Sequence, residues 1–224
     1  VVLLPLYPQF STTTTGSSFG AWNRAANKVG LSAPTRALCC YPTAAGVVTA
    51  QAGLVGAAIA AASNAGAPRV LFSAHGLPEK IVAAGDPYAW QIEQTAASVA
   101  AAVEAADWAV CYQSRVGPLK WIGPSIEDEL RRAAADRVPV VVVPIAFVSE
   151  HSETLVELDI EYRALADTVG VPSYVRAPTV ASDPAFIDGL GDLVAAAVGG
   201  GRPVMDNAGQ RICPSDCGQC PHPE

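Results

Sequence analysis

Short runs of apolar, β-branched residues alternate with longer segments of helical periodicity along most of the chain. The apolar runs predict strands at Val1–Leu6, Arg69–Ser73, Trp108–Gln113 and Val138–Phe147, with a weaker one at Ser173–Arg176. The segments between them predict helices at Phe19–Val29, Thr43–Ala65, Pro87–Ala106, Ser125–Ala135, Ser152–Val169 and Pro184–Val198. Because strands that alternate with helices are typical of parallel sheets covered on both faces, the pattern predicts an α/β fold.

Three predicted helices begin with capping signals. Asp86 precedes Pro87, Asp183 precedes Pro184, and the sequence SIED at Ser125–Asp128 has the form of a capping box. Side chains of this kind accept hydrogen bonds from the first free N–H groups of a helix. The signals therefore support the helical assignments.

The most apolar helical segment, residues 44–66, has to be compared with a membrane span. It carries no charge, but it consists mostly of Ala, Gly, Ser and Thr and includes Gln51 and Asn64. Such a composition inserts into lipid less favourably than a run of Leu, Ile and Phe. We therefore expect a buried, tightly packed helix.

The break NAGAPR at Asn64–Arg69 divides the chain. It predicts that residues 1–65 are the C-terminal part of a first α/β domain, that residues 66–180 are a second α/β domain, and that residues 181–224 are a C-terminal helix and cysteine-rich tail. The stretch GGGRPVMDNAGQ before the cysteines predicts a flexible connector. Since the chain begins at Val1, without methionine and inside a predicted strand, we expect a further N-terminal portion.

Two loops that follow predicted strands carry candidate chemistry. His75 stands at the end of one strand, in SAHGLP, and Trp121 lies in QSRVGPLKWIGP after the next. Ligands bind at the carboxyl ends of parallel strands, where a neutral imidazole can accept a proton or bind a metal. A rigidly held indole there can stack on a flat ligand. The residues alone leave open a histidine that caps a turn and a tryptophan that anchors a loop.

An acidic row follows the Val138–Phe147 strand. Glu153, Glu157 and Glu161 recur every four residues, on one face of the predicted helix, with His151 just ahead of them. Like charges at this spacing repel, and a solvated outer face is their usual explanation. Because this row begins at the end of a buried strand, we expect it to line a cleft, where carboxylates can pass protons or divalent cations.

Five motifs occur together in the order LYPQFSTTTTGSS, LFSAHGLP, GDPY, YQSRVGPLKWIGP and PIAFVSEHSETLVELDIEY. In these motifs the chain resembles ferrochelatase, the terminal enzyme of haem biosynthesis, over essentially all of its length. The resemblance implies two Rossmann-like, chelatase-type α/β domains with parallel sheets flanked by helices, the first incomplete here, and a porphyrin held between them. It implies insertion of ferrous iron, the substrate metal, into protoporphyrin IX to form protohaem. We expect this segment alone to be inactive without the preceding part.

The resemblance also implies roles for single residues. His75 and Glu153 are the expected catalytic residues and Fe²⁺ ligands, and they are expected to face each other across the porphyrin. His151, Glu157 and Glu161 are the expected path for protons or metal.

Aromatic side chains are expected beside the macrocycle. By the resemblance these porphyrin-binding residues are Tyr7, Trp121 and Phe147. Ser11 and Thr12, next to Tyr7, receive no assigned role.

The six cysteines are an adjacent pair, a singlet and a C-terminal cluster, a spacing poor for disulfides and typical of a reducing, cytoplasmic compartment. Cys213, Cys217 and Cys220 form C-x3-C-x2-C, which suits zinc or an iron–sulfur cluster equally. Some ferrochelatases hold a [2Fe–2S] cluster on such a tail plus one earlier cysteine. Thr12 stands where animal members place that earlier ligand.

The fourth cluster ligand is therefore expected from the sequence CCYP. Cys40 is the first choice and Cys39 its substitute, whereas Cys111 is predicted to be a core residue. Free thiols on a disordered tail are the alternative.

The chain's charge bears on its partners. A net charge of −7 and a pI near 4.9, with no basic run, argue against nucleic acid as a partner.

The last motif resembles the proteobacterial type, which favours protoporphyrin as the substrate. Because that substrate dissolves in membranes, we expect contact with the periphery of the inner membrane. The alternatives are a coproporphyrin ferrochelatase, a chelatase for cobalt or another tetrapyrrole, and a non-catalytic thiolate-metal binding module. Monomer and homodimer are both left open.

Overall fold

The computed structural model describes residues 1–115, 117–200, 204–205 and 210–222. Its strands are β1 Val2–Leu3, β2 Arg36–Leu38, β3 Arg69–His75, β4 Trp108–Gln113, β5 Val140–Pro144, β6 Tyr174–Arg176 and β7 Val204–Met205. Its α-helices are α1 Ser17–Lys28, α2 Ala45–Ala62, α3 Glu79–Ala83, α4 Tyr88–Ala102, α5 Ile126–Asp136, α6 Tyr162–Val169 and α7 Pro184–Gly199. Two segments, Thr12–Gly16 and Glu153–Glu161, are wound as π-helices, and Ser63–Ala65 forms a 3₁₀ turn.

Four strands form the larger sheet, in the order β4–β3–β5–β6, and all neighbouring pairs are parallel. His75 at the end of β3 pairs with Gln113 at the end of β4, and Ser73 pairs with Pro144 at the end of β5. These strands therefore finish at one edge of the sheet. β1, β2 and β7 form a second parallel sheet. The predicted α/β fold, with helices flanking parallel sheets, is confirmed.

Helices cover both faces of the larger sheet. Val70 and Phe72 of β3 pack towards α2 and α4, where they meet Ile92. Leu71, between them in sequence, packs on the other face with Leu130 of α5. Because successive β3 residues enter two different cores, the strand reads as a continuous apolar run. Cys111 lies in the second core and is fully buried, as predicted.

The C-terminal segment returns to the smaller sheet. α7 packs on α2 and against β1 and β2, and β7 pairs with β2. The predicted flexible connector is therefore wrong at Val204–Met205, because these residues form a strand, and its residues 201–203 and 206–209 lie outside the described residues. The domain limits at residues 65 and 180 stay a prediction.

One helix of the described residues, Ala45–Ala65, is long and apolar enough to cross a membrane by length and composition, with a mean hydropathy of 1.7. Of the 18-residue window that meets this criterion, 33% is buried inside the protein. Its buried face, which includes Val55 and Ala58, packs in the core against α4 and the larger sheet. The predicted buried helix is thus observed where α4, the larger sheet and α7 cover it, and the remaining stripe, which includes Thr49 and Gly53, is exposed.

The sequence pattern missed β2, α3 and β7, and it predicted an α-helix where Glu153–Glu161 is a π-helix. The capping box is confirmed, since Ser125 Oγ accepts the Asp128 N–H at 3.1 Å and Asp128 Oδ2 accepts the Ser125 N–H at 3.3 Å. Local side-chain signals therefore predicted this helix start correctly.

Candidate active site

A cleft of about 490 Å³ opens at the carboxyl edge of the larger sheet. Its walls come from the segment after β1 and from the loops that follow β3, β4 and β5. Six of the predicted site residues line it, namely Tyr7, His75, Trp121, Phe147, His151 and Glu153. Glu157 and Glu161 are not part of its lining.

His75 and Glu153 are in direct contact. His75 is the last residue of β3, Glu153 is the first residue of a π-helical segment, and Nδ1 of His75 lies 2.8 Å from Oε2 of Glu153. Atoms in contact with opposite faces of a flat ring are about 7 Å apart, twice a carbon–carbon contact. The expectation that the two side chains face each other across the porphyrin is therefore wrong in this structure, because 2.8 Å places both on one side of a ring.

Two residues that sequence reasoning missed hold the acidic row. Ser114 Oγ lies 2.9 and 2.7 Å from the two carboxylate oxygens of Glu157 and 3.3 Å from Oε2 of Glu153. Gln113 Nε2 donates to the Glu153 carbonyl at 2.8 Å and to Glu157 Oε2 at 3.2 Å. These neutral donors offset the repulsion between the carboxylates. Glu161, at the end of the π-helical segment, is exposed.

His151 supports the start of the same π-helical segment. Its Nδ1 accepts the Glu153 N–H at 3.2 Å, and its ring lies 4.8 Å from the Phe147 ring, centroid to centroid. A ring nitrogen that accepts a backbone N–H is unprotonated, so this geometry belongs to the neutral imidazole. His151 therefore connects the aromatic wall to the carboxylate at the cleft.

The aromatic residues contribute different parts of the wall. Gly76 lies beside Trp121, where a Cβ would be in ordinary contact with the indole ring at 3.4 Å but would crowd the Gln113 carbonyl oxygen at 3.1 Å. The Trp121 N–H is buried without a hydrogen-bond partner in the described part of the chain. Tyr7, in the segment after β1, is 48% exposed. Trp121 is thus half-buried, whereas Tyr7 is open to solvent.

An ion-pair network anchors the residues that lead into the π-helical segment. Arg176 pairs with Glu150 at 2.9 Å and with Asp159 at 2.6 Å. Burial acts to raise the pKa of Glu150, but hydrogen bonds from Thr154, the Thr179 N–H and Arg176 outweigh it and lower that pKa. Arg176, the last residue of β6, thus holds Glu150, which precedes the π-helical segment, and Asp159, which lies near the end of that segment.

Four cysteines from the two ends of the chain meet beside α4. The sulfur atoms of Cys39 and Cys40 are 3.3 Å apart. Gln91 Nε2 lies 3.3 Å from the Cys40 sulfur and 3.1 Å from that of Cys213, which in turn hydrogen-bonds Cys220. The structure thus brings the predicted fourth ligand to the tail.

The thiols are gathered but are not arranged as ligands. The hydrogen bond between Cys213 and Cys220 raises the pKa of Cys213, with burial acting in the same direction, and lowers the pKa of Cys220 to about 6, helped by Arg211 and His222. Burial raises the pKa of Cys217. In the described ranges, no group of three or more His, Cys, Asp or Glu side chains is placed to hold a metal ion.

The tail is docked against the turn before α4. The Gln219 N–H donates to the Gly85 carbonyl at 3.0 Å. Gly85 has a φ of +95°, and a Cβ there would lie 2.8 Å from the Gly218 nitrogen. Ile212 packs against Phe10 and the cysteine pair. The cysteine tail therefore contacts both the segment after β1 and the start of α4.

Known proteins match this chain over most of its length. The ferrochelatase family model matches residues 1–198. The chain is 51% identical over 222 residues to a ferrochelatase of Caulobacter vibrioides and 52% identical over 226 residues to one of Phenylobacterium zucineum. These alignments cover 99% and 98% of this chain and 63% of each relative, so the chain spans less than two thirds of their length.

Among solved structures, a multi-domain protein of Deinococcus radiodurans, described as structurally similar to chelatases, superimposes with a TM-score of 0.46 at 19% identity. That superposition covers 75% of this chain and 31% of the other. The residues matched by the family model include every predicted cleft residue and end before the cysteine tail. On this match, and on identities of about half with the relatives above, the chain belongs to the ferrochelatase family.

Proposed function

We propose that the full-length protein inserts Fe²⁺ into protoporphyrin IX and forms protohaem. The observation that carries the proposal is the hydrogen-bonded pair of His75 and Glu153 in a cleft lined by aromatic side chains. Membership of the ferrochelatase family supports the same reaction. The proposed partner is a porphyrin, with ferrous iron as the substrate metal.

The cleft suits a reaction that needs a bent ring. A planar porphyrin keeps its two N–H groups in its plane, so metal entry requires a distorted ring that exposes a nitrogen lone pair. Tyr7, Trp121 and Phe147 line the cleft and would hold the ring between them. Binding energy from these walls is then used to favour the bent, transition-state-like ring over the flat one.

Two protons leave the porphyrin for each Fe²⁺ that enters. His75 and Glu153, 2.8 Å apart, form one acceptor unit on one side of the cleft. The Ser114 hydroxyl bridges Glu153 and Glu157 at 3.3 and 2.7 Å, and exposed Glu161 lies further along the same π-helical segment. We assign this row to the exit of protons towards solvent, and its carboxylates are also ligands that suit a divalent cation.

The reaction is tested with the full-length protein under anaerobic conditions. Fe²⁺ and Co²⁺ are each offered with protoporphyrin IX and with coproporphyrin III, and the product is measured by absorbance. Fastest conversion of Fe²⁺ and protoporphyrin by the wild type, and strong loss in Glu153→Gln, is the expected result. Faster use of coproporphyrin or a requirement for Co²⁺ would support the alternative chelatases. Equal rates for wild type and Glu153→Gln would remove the enzymatic role of the pair.

A second proposal concerns the cysteines. We propose that Cys40, Cys213, Cys217 and Cys220 hold a [2Fe–2S] cluster, with Cys39 as the substitute for Cys40. The donor chemistry fits, since the thiols are gathered from both ends of the chain and the low pKa of Cys220, about 6, provides a thiolate. When bound, the cluster would supply a redox-active cross-link between the tail and the segment after β2.

Absorbance of the anaerobically purified protein tests the cluster. A visible iron–sulfur spectrum that is lost in Cys217→Ser and kept in Cys111→Ala is the expected result, because Cys111 lies apart in the core. A colourless protein with one bound zinc per chain would favour a structural zinc site, and if metal insertion were also absent it would favour the thiolate-metal binding module. A metal-free protein would overturn the cluster proposal.

The location and assembly of the protein are also proposals. We place it in the cytoplasm, in peripheral contact with the inner membrane, because protoporphyrin IX partitions into lipid. Sedimentation of the full-length protein with lipid vesicles that contain protoporphyrin tests the contact, and vesicles without porphyrin are the control. Analytical ultracentrifugation distinguishes monomer from homodimer.

A further inference from the structure

Residues 9–14, here called the lip, form part of one cleft wall and are attached to α4 by buried hydrogen bonds. Gln9 Nε2 donates to Thr95 Oγ1 at 3.0 Å, and the Phe10 N–H donates to Gln91 Oε1 at 2.7 Å. Thr95 and Gln91 are fully buried. The lip therefore runs along α4 towards the start of that helix.

Asp86 stands where the lip reaches the start of α4. Its Oδ2 accepts three hydrogen bonds, from Ser11 Oγ at 2.9 Å and from the N–H and Oγ1 of Thr12, both at 2.7 Å. Its Oδ1 accepts the N–H of Tyr88 at 3.0 Å. Asp86 is 3% exposed, and in the described part of the chain its hydrogen-bond donors are neutral groups of the lip and of Tyr88.

A buried carboxylate without a cation is stable only when hydrogen bonds replace its lost water. Hydrogen bonds to an ionised acceptor are also stronger and more directional than those between neutral groups. Three of the four bonds to Asp86 come from the lip, so a displacement of the lip would strip most of the solvation from this carboxylate. Asp86 therefore favours one position of the lip over all others.

We propose that Asp86 is a positioning residue for the porphyrin reaction, which fixes the lip against α4 and so sets the shape of the cleft. Ser11 and Tyr88 both line the cleft, and the two oxygens of Asp86 bind one each. The inference rests on the proposed function for the identity of the ligand, and the lip geometry stands without it. Asp86 itself does not line the cleft, so it acts through its neighbours.

A second Asp–Pro pair provides a matched control. Asp183, before Pro184, caps α7 by accepting the Ala185 N–H at 2.9 Å, as Asp86 accepts the Tyr88 N–H at 3.0 Å. Of the two, Asp86 makes the additional bonds to the lip within the described residues. Loss of either aspartate removes a helix cap, so the difference between the two losses isolates the contribution of the lip bonds.

The test compares full-length Asp86→Ala, Asp86→Asn and Asp183→Ala with the wild type. Hydrogen exchange at the Thr12 amide reports the lip directly and needs no porphyrin, because this N–H donates to Asp86. Anaerobic Fe²⁺ insertion gives KM for protoporphyrin and kcat separately. An asparagine keeps one acceptor oxygen, so it can serve either the lip or Tyr88 and not both.

Asp86→Ala is expected to speed exchange at the Thr12 amide by about tenfold or more. It is expected to raise KM about tenfold while kcat stays within about threefold. Asp86→Asn should give intermediate values, and it decides the matter if the alanine variant does not fold. Asp183→Ala should leave both readouts at the wild-type level.

Wild-type exchange at Thr12 together with wild-type KM in the Asp86 variants would overturn the inference. Equal rises of KM in Asp86→Ala and Asp183→Ala would also overturn it, because they would reflect a general loss of stability. A wild-type protein that metallates no porphyrin would instead refute the proposed function, and the exchange at Thr12 would still decide whether Asp86 positions the lip.

Discussion

The cleft and the cysteine region differ in how their reactive side chains are brought together. In the cleft, a strand end and a π-helical segment place His75 and Glu153 2.8 Å apart, and donors from the neighbouring strand end fix the carboxylates. In the cysteine region, Cys40 and Cys213 share the Gln91 amide, and no metal-ligand group is formed within the described residues. Parallel strand ends arrange a reactive pair in advance, whereas a docked tail gathers thiols without arranging them.

The largest effect that this comparison predicts is on His75. In the His75→Ala variant of the full-length protein, kcat for the proposed Fe²⁺ insertion should fall by about 10³-fold, because the proton acceptor paired with Glu153 is removed. Porphyrin affinity should change little, since the aromatic wall remains. Initial rates and a fluorescence titration with protoporphyrin measure the two quantities. A kcat within about threefold of the wild type would contradict the claim that the cleft holds a prearranged reactive pair, because the pair would then have no role in the reaction.

A smaller effect is expected at the serine that bonds two glutamates of the acidic row. Ser114→Ala removes the hydroxyl that joins Glu153 to Glu157, so kcat should fall about tenfold with KM unchanged. Ser98→Ala is the matched control, because Ser98 Oγ bonds only the Gln94 carbonyl on α4 within the described residues. Equal kcat values for the two variants would show that the bridge does not carry protons.

Gly85→Ala tests the docking of the tail. Its Cβ would lie 2.8 Å from the Gly218 nitrogen, so the free energy of unfolding should fall by about 1–3 kcal/mol and Cys213 should become more accessible to alkylation. Gly117→Ala is the control, since Gly117 also has a positive φ, but a Cβ there would meet no heavy atom of the described residues within 4 Å. Denaturant unfolding and mass spectrometry measure both effects. Equal results would mean that backbone strain, and not the tail contact, sets the outcome.

The smallest effect concerns the pH dependence of one thiol. Hydrogen bonding from Cys213 lowers the pKa of Cys220 to about 6 in the metal-free protein, so its alkylation should rise through that pH and level off by neutrality. A depressed pKa means that the thiolate is lost only as the pH falls through about 6. Since low-pKa thiolates are weaker nucleophiles, the advantage over an ordinary thiol at pH 7 is only about fourfold. A rate that still climbs above pH 8 would contradict the arrangement of the two thiols.

Much of the cleft followed from local sequence signals. The apolar run of β3 and the rule that ligands bind at strand ends indicated His75, and four-residue spacing placed Glu153 and Glu157 on one face. Residues four apart are separated by nearly one full turn in a π-helix as well as in an α-helix. The prediction that Glu153 and Glu157 share a face was therefore correct although the predicted helix type was wrong. Both glutamates indeed meet Ser114.

The remainder depends on partners distant in sequence. The contact between His75 and Glu153 joins residues 78 apart, and the expectation of opposite faces failed because no local pattern encodes that distance. Gln91 carried no sequence signal, and Ser114 carried none beyond its place in the motif YQSRVGPLKWIGP, since a single Gln or Ser is ordinary polarity. Asp86 did carry one, as a helix start before Pro87, but this explains its bond to Tyr88 and not its three bonds to the lip.

The most direct test is a double-mutant cycle on the pair in the full-length protein. Anaerobic rates of Fe²⁺ insertion into protoporphyrin IX are measured for the wild type, His75→Ala, Glu153→Gln and the double variant. If the hydrogen-bonded pair acts as one unit, each single change removes most of the rate and the double variant is within about threefold of the slower single variant. If the rate losses of the two single variants multiplied in the double variant, or if a single variant kept the wild-type rate, the claim that His75 and Glu153 act as one unit would be contradicted.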